Sequence, residues 1–344
     1  MKTYRTIDLF AGIGGIRKGF EATGRFKTIY ANDFDKYCAL TYDANFEDVS
    51  LTIKDICEVG LVKDDIGQFD FLLGGFPCQA FSVAGYRHGL NDLKGRGILF
   101  EEIERLLKEA AEIQTTPPQG FMLENVKNLL NHDKGRTYPI IKERLTALGY
   151  HLDERVYNSL NFGVPQNRER VYIVGFRNKA VMDAFKWPEA PGRGEIMVQD
   201  ILEPSVSSAH YYENKPLHDR IKDYVLSENI VYQYRRNYVR ANAKGVSPTL
   251  MANMGTGGHN VPIVKDLNGI RRLSPRECAR LQGYDDLVIP DRLSFHRIYR
   301  QIGNSVTVPV IKVVADAMVE ALDKVNLANL HSIPATEKVL SFIK

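Results

Sequence analysis

Three apolar runs in this chain each end in a short polar or glycine-rich segment, and that repeated arrangement limits the fold more than any other feature. Thr6-Ile7-Asp8-Leu9 runs into Phe10-Ala11-Gly12-Ile13-Gly14-Gly15. Phe69-Asp70-Phe71-Leu72-Leu73 runs into Gly74-Gly75-Phe76-Pro77-Cys78-Gln79, and Gly120-Phe121-Met122-Leu123 into Glu124-Asn125-Val126. Short apolar runs bounded by turn residues read as buried strands. Residues 7–10, 28–31, 69–73, 121–123 and 171–176 are expected strands, and 98–113 and 138–148 amphipathic helices. Strands alternating with helices specify an α/β fold with a mostly parallel sheet and right-handed crossovers. Ligands in such sheets bind beyond the carboxyl ends of the strands, where all three segments fall.

The 344 residues suffice for one large domain with a smaller companion. At 44% apolar and 25% charged the chain has the make-up of an ordinary globular protein. A formal charge of +3 neither demands nor excludes nucleic acid, so the distribution of charge decides. Cys38, Cys57, Cys78 and Cys278 show no CxxC spacing and no clustered histidines, so no metal site and no disulfide framework is expected. A reduced cytoplasm fits this cysteine usage. Met1-Lys2-Thr3-Tyr4 enters a strand at once, leaving no room for a signal peptide. No apolar run approaches the roughly 20 residues of a membrane span.

The texture changes after Trp187-Pro188-Glu189-Ala190-Pro191-Gly192. From there to about residue 267, Gly, Pro, Asn and Tyr increase and periodicity weakens, as in a second, loop-rich domain. Residues 230–265 carry Arg235, Arg236, Arg240, Lys244 and Lys265 without an acid, interleaved with Tyr232, Tyr234 and Tyr238. That run is either a solvated basic face or, beside a catalytic cleft, a phosphate-contacting surface. Residues 308–324 are apolar at helical spacing and are expected to pack back on the first domain.

Gly12-x-Gly14-Gly15 lets backbone approach a ligand closely at a helix N-terminus. Its third glycine position falls on Arg17, which breaks the dinucleotide fingerprint. Asp33, after the next strand, is placed to accept hydrogen bonds from a ribose diol, with Phe34 against an adenine face; a tight turn with a capping aspartate is the plainer reading. Gly74, Gly75 and Pro77 give Cys78 an exposed turn where a thiolate can be favoured. Cys38, Cys57 and Cys278 are expected to be packing residues. Glu124 either caps a helix or, paired with a nucleophile, holds or protonates a substrate ring. Gln166-Asn167-Arg168-Glu169-Arg170 places two arginines before a strand, or forms a surface salt-bridge ladder.

The order of these motifs, followed by Arg272-Leu273-Ser274-Pro275-Arg276-Glu277-Cys278-Ala279-Arg280-Leu281-Gln282-Gly283 and Gln301-Ile302-Gly303-Asn304-Ser305-Val306, closely resembles the DNA (cytosine-5) methyltransferases. The compact bacterial enzymes of restriction–modification systems are the nearest in pattern. The resemblance runs from Asp8 to about Pro309, and six motifs in one order are highly specific.

The resemblance implies a Rossmann-like S-adenosylmethionine-dependent sheet in residues 1–188 and 303–344, with a smaller target-recognition domain and hinge in 189–302. Phe10, Ala11, Gly12, Gly14 and Gly15 would form the methionine-side loop. Asp33 and Phe34 match the ribose acid and adenine-stacking aromatic, where many members carry Glu-Trp. Asp55 and Ile56 match the adenine-edge pair and Leu99 an apolar contact; Gly75 and Pro77 join the cofactor set. Asn304, Ser305 and Val306 would close the pocket. Cys78 would add to cytosine C6 as the nucleophile, Glu124 would bond the N3 and amino edge, and Arg168 would anchor the substrate, with no metal. Gln79, Ser82, Arg96, Arg170, Arg235, Arg236, Arg240 and Thr249 would contact duplex DNA, and the 79–96 loop would close over a flipped base as a lid. A methyltransferase acting on a duplex base is expected to flip it.

A cytoplasmic bacterial monomer is the expectation for such compact enzymes. The rivals are a transfer-RNA (cytosine-5) methyltransferase on the same scaffold, a nucleotide-dependent oxidoreductase and a non-catalytic DNA-binding module. The basic stretch near 232–265 favours DNA. Arg17 at the third glycine position argues against the oxidoreductase, and Cys78, Glu124 and Arg168 together argue against the module.

Overall fold

A computed structural model describes residues 2–77, 98–235, 237–254 and 261–332, with side chains except at 98 and 327–332. Cys78, Gln79, Ser82, Arg96 and Arg236, and with them the expected lid, lie outside the described residues.

In chain order the first unit comprises β1 (Tyr4–Leu9), α1 (Gly15–Glu21), β2 (Phe26–Asp33), α2 (Lys36–Asn45), β3 (Leu51–Ile53), β4 (Phe71–Gly74), α3 (Ile98–Ile113) and β5 (Gly120–Val126). There follow α4 (His132–Gly135), α5 (Thr137–Ala147), β6 (His151–Asn158), β7 (Gln166–Asn167), β8 (Glu169–Phe176) and α6 (Lys179–Ala184). The later elements are α7 (His218–Ile221), β9 (Tyr232–Arg235), β10 (Tyr238–Ala241), β11 (Ser247–Pro248), β12 (Ile263–Asp266), β13 (Gly269–Arg272), α8 (Pro275–Arg280), α9 (Phe295–Asn304) and α10 (Val308–Ser332).

The main sheet runs β3-β2-β1-β4-β5-β8-β6. Its first five strands are parallel, while β8 runs antiparallel to β5 and β6 antiparallel to β8. Side chains alternate faces along each strand. In β4, Leu72 enters one core with Ile7, Phe121 and Ile173 under Phe100, Ile103 and Leu106 of α3 and Ile141 and Leu145 of α5. Phe71 and Leu73 enter the opposite core, with Met122 and Val174, beneath Ile16 and Phe20 of α1 and Val310, Ile311 and Val314 of α10. Each fully buried Leu, Ile or Phe contributes about 1.5–3 kcal/mol of transfer free energy. Both faces covered by helices is the three-layer α/β arrangement that the strand–helix alternation implies.

The C-terminal α10 packs on α1, as its apolar spacing suggests. The approach is close: a Cβ on Gly19 would lie 2.5 Å from Ile311 Cγ2. Arg25 adds a bidentate pair to Asp323, at 2.6 and 2.8 Å, tying the start of β2 to α10.

A second, antiparallel sheet, β10-β9-β12-β13, occupies residues 232–272. Three details differ from the sequence reading. Tyr232 and Tyr234 are buried in that sheet's core with Ile221, Val225 and Ile263, so only Tyr238, 58% exposed, stands out beside the arginines. Alternation puts both tyrosines of β9 where apolar packing, and not DNA, claims them. Cys57 is exposed, unlike the buried Cys38 and Cys278. Phe10 leaves β1 with φ +56° and belongs to the turn rather than the strand. Among the described residues no helix is long and apolar enough to cross a membrane.

Candidate active site

β1, β2, β4 and β5 end side by side, and the turns that follow them line a cavity of about 590 Å³. Phe10, Ala11, Gly12 and Gly15 come from the first turn, Asp33 and Phe34 from the second, Gly75 and Pro77 from the third, and Glu124 from β5. Arg168 and Arg170 enter from the β7–β8 junction, Thr249 from beyond β11, and Asn304, Ser305 and Val306 from the end of α9.

The first turn works because its glycines accept left-handed backbone, with φ +56° at Gly12 and +81° at Gly14. A Cβ on Gly12 would meet nothing within 4 Å, whereas one on Gly14 would strike the Phe46 ring at 2.2 Å. One glycine therefore leaves backbone bare, and the other lets α2 pack behind the loop. Arg17, at the missing third glycine position, is the clamp between α1 and α2. It is buried, donates to Tyr42 Oη at 3.0 Å and to the Val49 carbonyl at 3.2 Å, and pairs with Asp48 and Glu21.

Asp33 Oδ2 accepts from Gly12 N at 2.9 Å, and Oδ1 accepts from Asp35 N at 2.8 Å. Burial raises its pKa from the ordinary carboxyl range, and these backbone donors oppose the rise. Phe34 is 69% exposed at the cavity mouth, a large ring with no core to join.

Glu124 is buried at the end of β5, opposite Tyr172 of β8. Desolvation raises its pKa, with Arg170 and then Arg168 opposing. Arg170 Nε stands 3.1 Å from Glu124 Oε1 but is misaligned for a hydrogen bond, so this oxygen has no hydrogen-bond partner among the described residues. A buried carboxyl oxygen left without a donor costs about 1–3 kcal/mol, which a ligand group would recover. Asn125 Nδ2 donates to the Phe76 carbonyl at 2.8 Å, which joins the end of β5 to the turn leading into Pro77.

Arg168 is buried and held by backbone. Nη1 donates to the Leu250 carbonyl at 2.9 Å and Nη2 to the Ser305 carbonyl at 2.6 Å, while Nε has no partner among the described residues. Burial lowers its pKa to about 9, with Arg170 adding to the fall and Glu124 opposing it. Gln166, two residues earlier at the start of β7, accepts from Leu250 N at 2.9 Å and donates to the Leu281 carbonyl at 2.8 Å.

The sequence pattern of C-5 cytosine-specific DNA methylase matches residues 4–320. The chain belongs to that family. It is 45% identical over 320 residues to Type II methyltransferase M.Bsp6I of Bacillus sp. (strain RFL6), covering 91% of this chain and 98% of that protein. It is 35% identical over 334 residues to Type II methyltransferase M.HhaI of Haemophilus parahaemolyticus, covering 90% and 93%. A solved Spodoptera frugiperda DNMT2 variant superposes with TM-score 0.72 at 18% identity, over 92% of this chain and all of that one, which is a likeness of fold. As a family member the chain is a DNA (cytosine-5) methyltransferase with DNA as its substrate.

For this methyltransferase the structure brings most of the expected residues to one cavity. Asp55, Ile56 and Leu99 lie outside its lining, as does Gly14 behind the loop. Asp55 caps the turn after β3 by accepting from Cys57 N at 3.0 Å, and Ile56 and Leu99 pack in the core under the sheet. Arg235 and Arg240 are exposed on the β9–β10 hairpin, away from the lining. Thr249 Oγ1 donates to the Asn167 carbonyl at 2.7 Å. Sequence reasoning passed over Ile16, Cys38, Arg300 and Gln301, which line the cavity from α1, α2 and α9. The available signal was the four-residue spacing of Arg300 from Asn304, which puts both on one helix face. Among the described residues no group of three or more His, Cys, Asp or Glu is placed to hold a metal.

Proposed function

We propose that the protein binds S-adenosylmethionine and methylates C5 of cytosine in duplex DNA through a covalent Cys78–C6 intermediate on a flipped base. The observation that carries this reading is the single cavity that gathers the Gly12 loop, Asp33, Glu124, Arg168 and the Asn304–Val306 segment. Its lining fits the cofactor. Bare backbone at Gly12 suits close approach, Asp33 keeps lone pairs free for a ribose diol, and exposed Phe34 offers an apolar face for adenine. When bound, the cofactor supplies an electrophilic methyl group.

Cytosine C5 is a poor nucleophile. Addition of the Cys78 thiolate to C6 makes C5 electron-rich, which divides one difficult step into easier ones. Glu124, buried and disposed to hold a proton, offers that proton to N3 and its other oxygen to the amino group, so that charge shifted toward N3 is stabilised. Arg170 and Arg168 keep positive charge beside that edge. Once C5 has taken the methyl group, its proton passes to solvent water and the electron pair left behind expels the Cys78 thiolate from C6, which restores the ring.

Residues 1–188 and 303–344 serve as the catalytic unit and 189–302 as the recognition unit, whose exposed Arg235 and Arg240, with Arg236, face DNA. The enzyme acts as a monomer in a bacterial cytoplasm and protects host DNA within a restriction–modification system, in keeping with the Type II names of its relatives. Purified protein given methyl-labelled S-adenosylmethionine should label duplex DNA, and bisulfite sequencing should place the mark at one short site. Label confined to transfer RNA would overturn the duplex-DNA reading.

A further inference from the structure

Among the described residues three guanidinium groups line the cavity, those of Arg168, Arg170 and Arg300. Two of them are committed. Arg168 is held by the Leu250 and Ser305 carbonyls, and Arg170 stands against Glu124 and donates to the Glu169 carbonyl. Arg300 has no hydrogen bond and no ion pair among the described residues, although it is half-buried and its charge reaches Cys38 of α2. A half-buried cation without a partner is an unmet electrostatic demand, and a ligand anion is what satisfies it.

The fold fixes where that demand sits. α9 is seated on α2 by Gln301, whose Oε1 accepts from Thr41 Oγ1 at 2.8 Å and whose Nε2 donates to the Tyr37 carbonyl at 2.7 Å. Arg297 stacks over the Tyr37 ring at 3.9 Å and adds a second hold. Arg300 therefore stands one helical turn before Asn304, on the α2 side of the cavity with Asp33, Asp35 and Cys38. Glu124, Arg170 and Thr249 come from the other elements, β5, β8 and the segment after β11.

We infer that Arg300 binds the carboxylate of the methionine half of S-adenosylmethionine, the one anionic group that cofactor carries. The inference rests on the cofactor reading above and adds to it the residue that matches the ligand's charge. Of the charges the cofactor carries, the carboxylate finds a free cation at Arg300 alone among the described lining residues.

The test is calorimetric titration of the full chain with S-adenosylhomocysteine and with its decarboxylated counterpart. Arg300→Gln should weaken S-adenosylhomocysteine about tenfold and change binding of the decarboxylated compound by less than about twofold. Arg300→Lys should keep most of the affinity, and thermal melting of both variants should match the wild type. Equal losses for the two compounds, or no loss for either, would overturn the assignment. So would unchanged binding of both compounds with weaker DNA binding and a shallower salt slope, because Arg300 would then be a phosphate ligand. Failure of the wild-type chain to bind S-adenosylhomocysteine would overturn the cofactor reading itself.

Discussion

Arg168 Nη2 donates to the Ser305 carbonyl at 2.6 Å across 137 residues of chain, and its Nη1 reaches Leu250 between them. One guanidinium thus holds the start of β8, the segment after β11 and the end of α9 around the same cavity. Arg168→Met would leave those carbonyls buried without their donor. Stability should fall by about 2–5 kcal/mol. Urea denaturation measures this, and Arg168→Lys should lose less but still measurably, since an ammonium cannot reproduce the planar fork.

Glu124 should set the alkaline limb of catalysis. Burial raises its pKa, so the protonated form persists to higher pH and is lost as pH climbs through the folded value. The wild-type kcat should decline across that window. Glu124→Gln should lower kcat by about 10²–10⁴-fold and flatten that limb, as read from single-turnover rates against pH.

Cys78→Ser should reduce methyl transfer by about 10³-fold or more, with S-adenosylhomocysteine binding preserved. A duplex with 5-fluorocytosine at the target should form a denaturation-resistant adduct with the wild type and none with the variant, since fluorine cannot leave as a proton. Gel electrophoresis under denaturing conditions reads both.

Gly303 is where backbone meets backbone: a Cβ there would lie 2.2 Å from the Met251 carbonyl oxygen. Gly303→Ala should force α9 away from the segment that carries Thr249 to Ala252, at a cost of about 1–3 kcal/mol. Differential scanning calorimetry should record the lower melting temperature, and cofactor affinity should fall with it.

Asp8 is buried, neither oxygen has a hydrogen-bond partner among the described residues, and desolvation raises its pKa to about 8. Arg17 opposes that shift, while Asp33 and Glu21 reinforce it. In the unfolded chain the group titrates near pH 4, as an ordinary carboxyl does. The folded state therefore holds the extra proton between these values, and stability contributed at low pH is lost as pH rises toward about 8. Asp8→Asn should remove that slope, so melting temperatures of variant and wild type should diverge in the variant's favour from pH 5 to pH 8.5.

The order of motifs and the alternation of short apolar runs with helical patterns were enough to specify the α/β sheet and its family, because strand and helix periodicities are local properties. Helix α3 appears at the expected 98–113, and β2, β5 and β8 cover their apolar runs, whereas β1 stops before Phe10 and β4 starts only at Phe71, leaving Phe69 and Asp70 outside the strand. β6 escaped notice because its alternation of Leu152, Val156 and charged residues leaves one face in solvent, which reads as polar chain. Nothing local could tell that Tyr232 and Tyr234 are core residues while Tyr238 is exposed, since that depends on which side of β9 meets Ile221 and Ile263. Likewise Arg168 and Gln166 acquire their meaning from α9 and the segment after β11, which arrive from 80 to 140 residues away, and Arg300 from α2, some 260 residues before it. Composition and periodicity determined the layers; only the folded chain decided which guanidinium is spent on backbone carbonyls and which is left facing the cavity, because burial and hydrogen-bond pairing are set by neighbours distant in sequence.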